Sequence, residues 1–198
     1  SLKGGDWERT VCKKLSLWWT GGKDDFVFWR TSNSGGRATA RGKQGKADRF
    51  HHGDIAAVDP DGQPFIDLCC LELKRGYSSM SLGDLLDKPP KQKKHEYEKW
   101  IDKVRATAAR AGCPYWMLVV KRDRREPVVI GPWELFDELG LWVPGREGVP
   151  GAPRQSSARF VLAGSGGEWV DACCVTLGDW VRGASPEAIR ALAQRFCE

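Results

Sequence analysis

The chain has 198 residues, of which 41% are hydrophobic and 29% charged, and its 31 Lys and Arg residues against 26 Asp and Glu residues give a formal net charge of +5. This length can bury a sizeable core in one domain, with or without an appendage, and the charged fraction excludes wholesale disorder. No apolar run approaches the roughly 18 residues that a membrane helix needs, so we expect no membrane contact.

The first predicted elements are a helix and a strand. Apolar residues recur at helical spacing from Trp7 to Trp18, which predicts a helix over residues 7–19 with Asp6 as its N-cap. The aromatic and β-branched content of residues 25–31 predicts a strand.

The basic charge is concentrated directly after this strand. Residues 30–49 carry six basic side chains and the single acid Asp48, so this Gly- and Ser-rich stretch holds an excess equal to the whole net charge. A localised basic loop favours a polyanionic partner more than a generally basic surface would. A solvated flexible loop explains the charge equally well when the loop is taken alone.

A hairpin and the longest helix are predicted next. Residues 54–59 form the first hairpin strand, residues 60–62 the turn and residues 65–74 the second strand. After turn-like signals over residues 78–90, an apolar stripe at helical spacing predicts a helix over residues 91–111.

The same signals predict four further strands and two further helices. The strands are residues 115–121, 127–130, 158–163 and 168–177, and the helices are residues 133–139 and 185–196. The composition shifts after residue 140, where a stretch rich in Pro, Gly and Ser begins. We therefore divide the chain into a core, residues 1–140, and a C-terminal α+β extension, residues 141–198, which we expect to pack on the core.

The seven cysteines include the adjacent pairs Cys69–Cys70 and Cys173–Cys174, and the sequence has no C-x-x-C motif. Neighbouring residues of a strand point to opposite faces, so these pairs are predicted to be buried small hydrophobic residues. Disulfides and a zinc site are disfavoured, and we expect a reducing cytoplasmic compartment.

The sharpest chemical signal lies on the second hairpin strand. Glu72 and Lys74 share one face of that strand above Ile66, Leu68 and Cys70. Charge at the end of a buried face is costly without partners. A strand end that emerges into water nevertheless explains Glu-x-Lys more often when the tripeptide is taken alone.

Two other acids strengthen the signal. Asp54 opens the paired hairpin strand, which can place it beside Glu72, and two carboxylates suit a hard cation such as Mg²⁺. Glu8 lies on or beside the buried face of the first helix, where a lone acid would be costly. A carboxylate that faces the helix dipole explains Glu8 equally well.

Four segments follow one another in the order of a known set of motifs: Gly5–Arg9, Arg30–Gly36, Gly53–Ile55 and Leu71–Lys74. They resemble the PD-(D/E)XK nuclease superfamily, and within it the archaeal and phage Holliday-junction resolvases. The resemblance covers about residues 4–121, and Gly53 stands where the family has a proline. It implies an α/β fold with a restriction-endonuclease-like core, in which helices flank a central mixed β-sheet.

The resemblance also implies the metal site. Asp54, Glu72 and the backbone carbonyl of Leu73 would bind Mg²⁺, for which Mn²⁺ would substitute. Glu8 would complete the metal environment directly or through water, and Lys74 would orient or deprotonate the attacking water.

Contacts to DNA are implied in the same way. Ser34 would act near the scissile phosphate, and basic contacts would come from Arg30, Arg37, Arg41, Lys43, Lys46 and Lys94. The superfamily often keeps a Gln or Lys near the site on the second helix, and the candidates that stay open there are Gln92, Lys93, Lys94 and Lys99.

The implied function is metal-dependent endonuclease cleavage of branched DNA, as in Holliday-junction resolution during phage DNA recombination. Symmetric cutting of two strands implies a homodimer, which would work in the host cytoplasm if a phage encodes it. Another nuclease on the same fold, such as a nickase, a restriction-type enzyme or an exonuclease, stays open. A non-catalytic DNA-binding module is the other alternative, and the complete set of Asp54, Glu72 and Lys74 argues against it.

Overall fold

The computed structural model describes residues 2–31, 52–89, 94–141, 157–164 and 167–196. The helices of these residues are α1 (Leu2–Trp19), α2 (Gln63–Leu68), α3 (Glu96–Ala111), α4 (Trp133–Glu138), α5 (Leu177–Gly183) and α6 (Pro186–Gln194). The strands are β1 (Phe28–Arg30), β2 (Ile55–Ala57), β3 (Cys69–Arg75), β4 (Tyr115–Lys121), β5 (Val128–Pro132), β6 (Ala158–Ala163) and β7 (Trp169–Thr176).

A five-stranded mixed sheet in the order β3-β4-β5-β7-β6 forms the centre of the fold. Strands β3 and β4 are parallel and the other pairs are antiparallel. A parallel pair needs a crossover connection, which α3 provides. The α/β fold with helices flanking a mixed sheet is therefore confirmed.

The two faces of the sheet bury separate apolar clusters. On one face, Ile101 and Val104 of α3 pack with Cys70 and Leu118. The opposite face packs against α1 and the C-terminal helices, and its largest fully buried side chain is Trp180. Both adjacent cysteine pairs are buried, as predicted.

The predicted hairpin of residues 54–74 is wrong. Strand β2 pairs with β1 in a separate two-stranded antiparallel sheet, and residues 63–68 form α2 instead of a strand. The physical reason is a run of helix-start signals: the Asp59 carboxylate accepts the N–H of Asp61 and caps the short 3-10 helix Pro60–Gly62, which leads directly into α2. Only Cys70 of the predicted apolar stripe therefore lies on β3 below Glu72.

Two helix starts also differ from the prediction. Helix α1 begins at Leu2, so Asp6 lies inside it and is not its N-cap. Helix α3 begins at Glu96 and not at residue 91, because the side chain of His95 accepts the N–H of Tyr97 while Glu98 accepts the N–H of His95. This reciprocal cap fixes the register of α3.

The last two strands extend the central sheet beyond β5. Strand β7 pairs with β5 and then with β6, which leaves β6 at the end of the strand order. The strands predicted over residues 158–163 and 168–177 are confirmed, the second with ends one residue shorter on each side. In the described ranges, no helix combines the length and the apolar character needed to cross a membrane.

Candidate active site

Asp54 is attached to the middle of β3 by two hydrogen bonds. Its backbone N–H donates to the carbonyl of Leu71 at 2.8 Å, and its Oδ2 accepts the backbone N–H of Leu73 at 2.7 Å. Its carbonyl accepts the N–H of Thr31 at 3.0 Å. The carboxylate of Asp54 is therefore held next to Glu72, although no hairpin joins the two segments.

Gly53 allows this close approach. Its φ is +76°, in the left-handed region, and a Cβ at this position would lie 2.3 Å from the carbonyl oxygen of Leu71. A proline cannot adopt this φ and any side chain would meet the backbone of β3. The departure from the family's proline thus has a local structural cause.

Gly53→Ala is expected to destabilise the protein by at least about 2 kcal/mol, because a positive φ is unfavourable for alanine and the Cβ would push Asp54 away from β3. Urea unfolding measures this cost. Gly140→Ala is the matched control, since Gly140 has φ +63° with no atom within 4 Å of its Cβ position and should lose only about 1 kcal/mol. Equal losses would show that the contact with Leu71 does not constrain residue 53.

Glu72 is the buried centre of the site, with 3% of its surface exposed. Its Oε1 accepts hydrogen bonds from two ammonium groups, Lys74 Nζ at 2.6 Å and Lys103 Nζ at 2.5 Å. A buried carboxylate would be costly without such partners. Asp54, Glu72, Lys74 and Lys103 therefore form a compact site of two carboxylates and two lysines.

Lys103 is the member of this site that the sequence analysis did not predict. It lies on α3 directly before the buried Val104, at the margin of the apolar stripe that packs on β3. The sequence signal that could have indicated Lys103 was a lysine at the margin of a buried apolar stripe. The two described candidates of the predicted position lie elsewhere: Lys94 pairs with Asp102 at 2.6 Å and Lys99 pairs with Glu96.

Burial and the charge of Glu72 shift the pKa values of Asp54 and Lys103. Burial, followed by repulsion from Glu72, raises the pKa of Asp54 to about 6. Burial alone would lower the pKa of Lys103, but the hydrogen bond and the charge of Glu72 outweigh it and raise that pKa. The site therefore favours the charged form of Lys103 and resists the ionisation of Asp54.

Glu8 lies beside this site and pairs with Arg30. Arg30 Nη1 is 3.2 Å from Glu8 Oε2, and the side chain of Glu8 is largely buried. Burial raises the pKa of the Cys12 thiol to about 12, and the charges of both Glu8 and Asp54 add to this shift. The two carboxylates thus act on the same thiol, Glu8 from within α1 and Asp54 from the segment attached to β3.

The donor set suits a hard divalent cation. Two neighbouring carboxylates that repel each other provide oxygen ligands of the kind that Mg²⁺ and Mn²⁺ prefer. Within the residues that the structure describes, no group of three or more His, Cys, Asp or Glu side chains could hold a metal ion. Metal ligation by Asp54, Glu72, Glu8 and the carbonyl of Leu73 stays a prediction.

Most of the predicted DNA contacts lie outside the described residues. These are Ser34, Arg37, Arg41, Lys43 and Lys46, together with the second-helix candidates Gln92 and Lys93. Two of the residues predicted to contact DNA are described, and both form ion pairs within the protein: Arg30 with Glu8 and Lys94 with Asp102.

One comparison with known proteins gives a match. The model of a family described as "Phage putative PDDEXK endonuclease" matches residues 1–140, which include α1, the attached Asp54 and the whole β3–α3–β4 unit. No curated protein and no solved structure matches the chain.

Proposed function

Because the chain belongs to this family of phage PDDEXK endonucleases, we propose that it is a metal-dependent endonuclease that hydrolyses phosphodiester bonds of branched DNA. The observation that carries the proposal is the hydrogen bond from Leu73 N–H to Asp54 Oδ2, because it sets the Asp54 carboxylate beside Glu72 and Lys74. The segments Gly53–Ile55 and Leu71–Lys74 thus meet although the expected hairpin does not form.

Asp54 and Glu72 would hold the cation, with the Leu73 carbonyl and Glu8 as further ligands, Glu8 directly or through water. The chemistry that Mg²⁺ supplies when bound is polarisation of a phosphoryl oxygen and activation of water near neutral pH. Lys74 keeps its ammonium 2.6 Å from Glu72 Oε1, where it can orient a water molecule and stabilise negative charge that develops on the phosphate. Lys103 donates to the same oxygen of Glu72 at 2.5 Å and so helps to hold this carboxylate in place, and Ser34 would act near the scissile phosphate.

Branched DNA is the proposed substrate on the strength of the resolvase-like motif order. A resolvase cuts two strands symmetrically, so the proposal includes a two-fold homodimer. The basic residues Arg37, Arg41, Lys43 and Lys46, which precede Asp54 in the sequence, would bind phosphates of the arms. Cleavage in the host cytoplasm during phage DNA recombination is the corresponding setting.

The proposal is tested by incubating the protein with a labelled four-way junction and with a linear duplex of the same arm sequence. We expect paired symmetric cuts in the junction with Mg²⁺ or Mn²⁺ and no cuts with EDTA. Glu72→Gln protein purified in the same way is the control for a contaminating nuclease. Equal cutting of both substrates would assign another nuclease activity, and binding without any cutting would assign a DNA-binding module.

A further inference from the structure

Two neighbouring loops lie at the end of the sheet beyond Lys74. The parallel strands β3 and β4 end together, with Arg75 level with Lys121. The chain continues from β3 into a loop at residues 76–80 and from β4 into a turn at residues 122–126. Both segments therefore start where β3 and β4 end, next to Lys74, the lysine proposed to be catalytic.

Three hydrogen bonds tie the loop to the turn. The N–H of Gly76 donates to the carbonyl of Lys121 at 3.0 Å, and the N–H of Asp123 donates to Ser78 Oγ at 3.2 Å. The guanidinium of Arg122 donates to the carbonyl of Met80 at 3.0 Å. The two segments thus form one ordered surface, which we call the distal edge.

The distal edge contains two strained residues. Tyr77 and Arg124 both have φ +57°, and they are the non-glycine residues with positive φ in the described part of the chain. Glycine or asparagine would adopt this conformation at lower cost. Backbone geometry therefore does not explain the presence of a tyrosine and an arginine, so their side chains become the candidates for a function.

Tyr77 presents an aromatic ring to solvent close to the candidate active site. Its surface is 45% exposed, and its ring meets the edge of Trp100 at a centroid distance of 4.7 Å. Trp100 is itself buried and precedes Lys103 by one helical turn of α3. The ring is held by Trp100 on the face of the sheet where Lys103 meets Glu72.

Arg124 and Arg125 of the turn differ from most of the arginines that the structure describes. Seven described arginines pair with a carboxylate: Arg9, Arg30, Arg105, Arg159, Arg182, Arg190 and Arg195. Arg124 and Arg125 are exposed, and neither guanidinium has an ion-pair partner among the described residues. Together with Arg122 they outnumber Asp123 and Glu126 in the turn, so the distal edge keeps a net positive charge that complements a phosphate backbone.

We propose that the distal edge is a DNA-contact surface, in which Arg124 and Arg125 bind backbone phosphates and the Tyr77 ring stacks on an unpaired base at the branch. Aromatic rings next to basic side chains bind single-stranded nucleotides in this way. The inference rests on the proposed function and deepens it, because it selects DNA with an unstacked base beside the cleavage site over uniform duplex.

The test measures binding in EDTA, so that cleavage does not interfere. The probes are a branched DNA with 2-aminopurine at the branch point and a fully paired duplex that carries the same base. Tyr77→Asn removes the ring but tolerates a positive φ, and Tyr77→Phe retains the ring. Arg124→Gly removes the charge and suits the backbone, whereas Arg110→Ala removes an exposed arginine from the last turn of α3, at the opposite end of the sheet.

We expect the parent protein and Tyr77→Phe to quench the branch-point fluorescence, and Tyr77→Asn to lose the quenching and about tenfold in affinity for the branched probe alone. Arg124→Gly should weaken binding to both probes and make the slope of log affinity against log salt shallower by about one. Its melting temperature should equal or exceed that of the parent, and Arg110→Ala should behave as the parent.

If Tyr77→Asn quenches as the parent does, or Arg124→Gly keeps the parent's salt slope, the distal edge does not bind DNA as proposed. If the parent cleaves junctions while these variants bind normally, only this inference falls. If the parent binds neither probe, the inference and the proposed function fall together.

Discussion

Lys74→Met is expected to lower the metal-dependent cleavage rate about 10²- to 10³-fold while the protein stays folded. The loss follows from removing a positioned cation at the place where negative charge develops on the phosphate. The fold should survive because Glu72 Oε1 keeps the Lys103 ammonium at 2.5 Å, so the buried carboxylate is not left alone. Single-turnover cleavage of the four-way junction and urea unfolding measure the two effects.

Two lysine variants make this result specific. Lys88→Met is the matched control, because Lys88 also pairs with a buried carboxylate, Glu98, and its side chain is 22% exposed against 21% for Lys74. It should lose stability and keep the cleavage rate. Lys103→Met should lower the rate about tenfold through the position of Glu72, and it should also lower the Mg²⁺ concentration needed for half-maximal rate because a competing positive charge has gone.

The assignment of Lys74 would be wrong if Lys74→Met cleaves within threefold of the parent. It would also be wrong if Lys88→Met loses as much activity as Lys74→Met, since the loss would then report only a weakened fold. A Lys103→Met protein that needs more Mg²⁺ would show that Lys103 supports metal binding and does not compete with it.

The proximity of Asp54 to Glu72 could be predicted from the sequence, but the hydrogen bonds that hold the two segments together could not. Residue types and order brought the two acids together through an expected hairpin. The structure joins them through the N–H groups of Asp54 and Leu73 instead, and this depends on the left-handed conformation of Gly53. A close backbone approach at one glycine leaves no periodic signal in a sequence.

The segment of residues 63–68 shows how a short apolar run misleads. Phe65, Ile66 and Leu68 fit a buried strand and a buried helix equally well, because six residues are too few to separate the two periods. The decisive signal was the cap at Asp59 with Pro60 after it, which starts helical structure and rules out the hairpin turn.

The position of Lys103 depends on the helix start. Glu72 lies three residues before the end of β3, or about 10 Å at roughly 3.3 Å per residue. An antiparallel helix covers this distance in about seven residues at 1.5 Å each. Counting from Glu96, where α3 begins level with the end of β3, leads to Lys103, whereas counting from residue 91 leads to the neighbour of Lys99. A helix that starts at Glu96 therefore brings Lys103 level with Glu72, and one that starts at residue 91 does not.

Asp54→Asn is expected to stabilise the metal-free protein at pH 8 by up to about 3 kcal/mol and to have little effect near pH 4. The folded protein raises the pKa of Asp54 from 3.8 to about 6 by burial and by repulsion from Glu72. The folded state therefore binds a proton more tightly than the unfolded chain, and the contribution of Asp54 to stability is present below pH 3.8 and is lost as the pH rises through about 6. This rise of the pKa of Asp54 from 3.8 to about 6 corresponds to about 3 kcal/mol.

Asparagine removes the charge and retains an oxygen that can accept the N–H of Leu73, so the variant lacks this pH-dependent loss. Urea unfolding in EDTA at several pH values between 4 and 8 measures the difference between variant and parent, which cancels the titration of the other groups. A difference that does not change with pH would show that Asp54 ionises normally in the folded protein. On the proposed metal site, Mg²⁺ should reverse the order at pH 8, because a ligand that binds only the folded parent stabilises it by mass action, while the variant would lack one of the two carboxylates proposed to hold the ion. The instability of the metal-free site and the proposed affinity for a cation would then have the same cause, two carboxylates held together in a buried position.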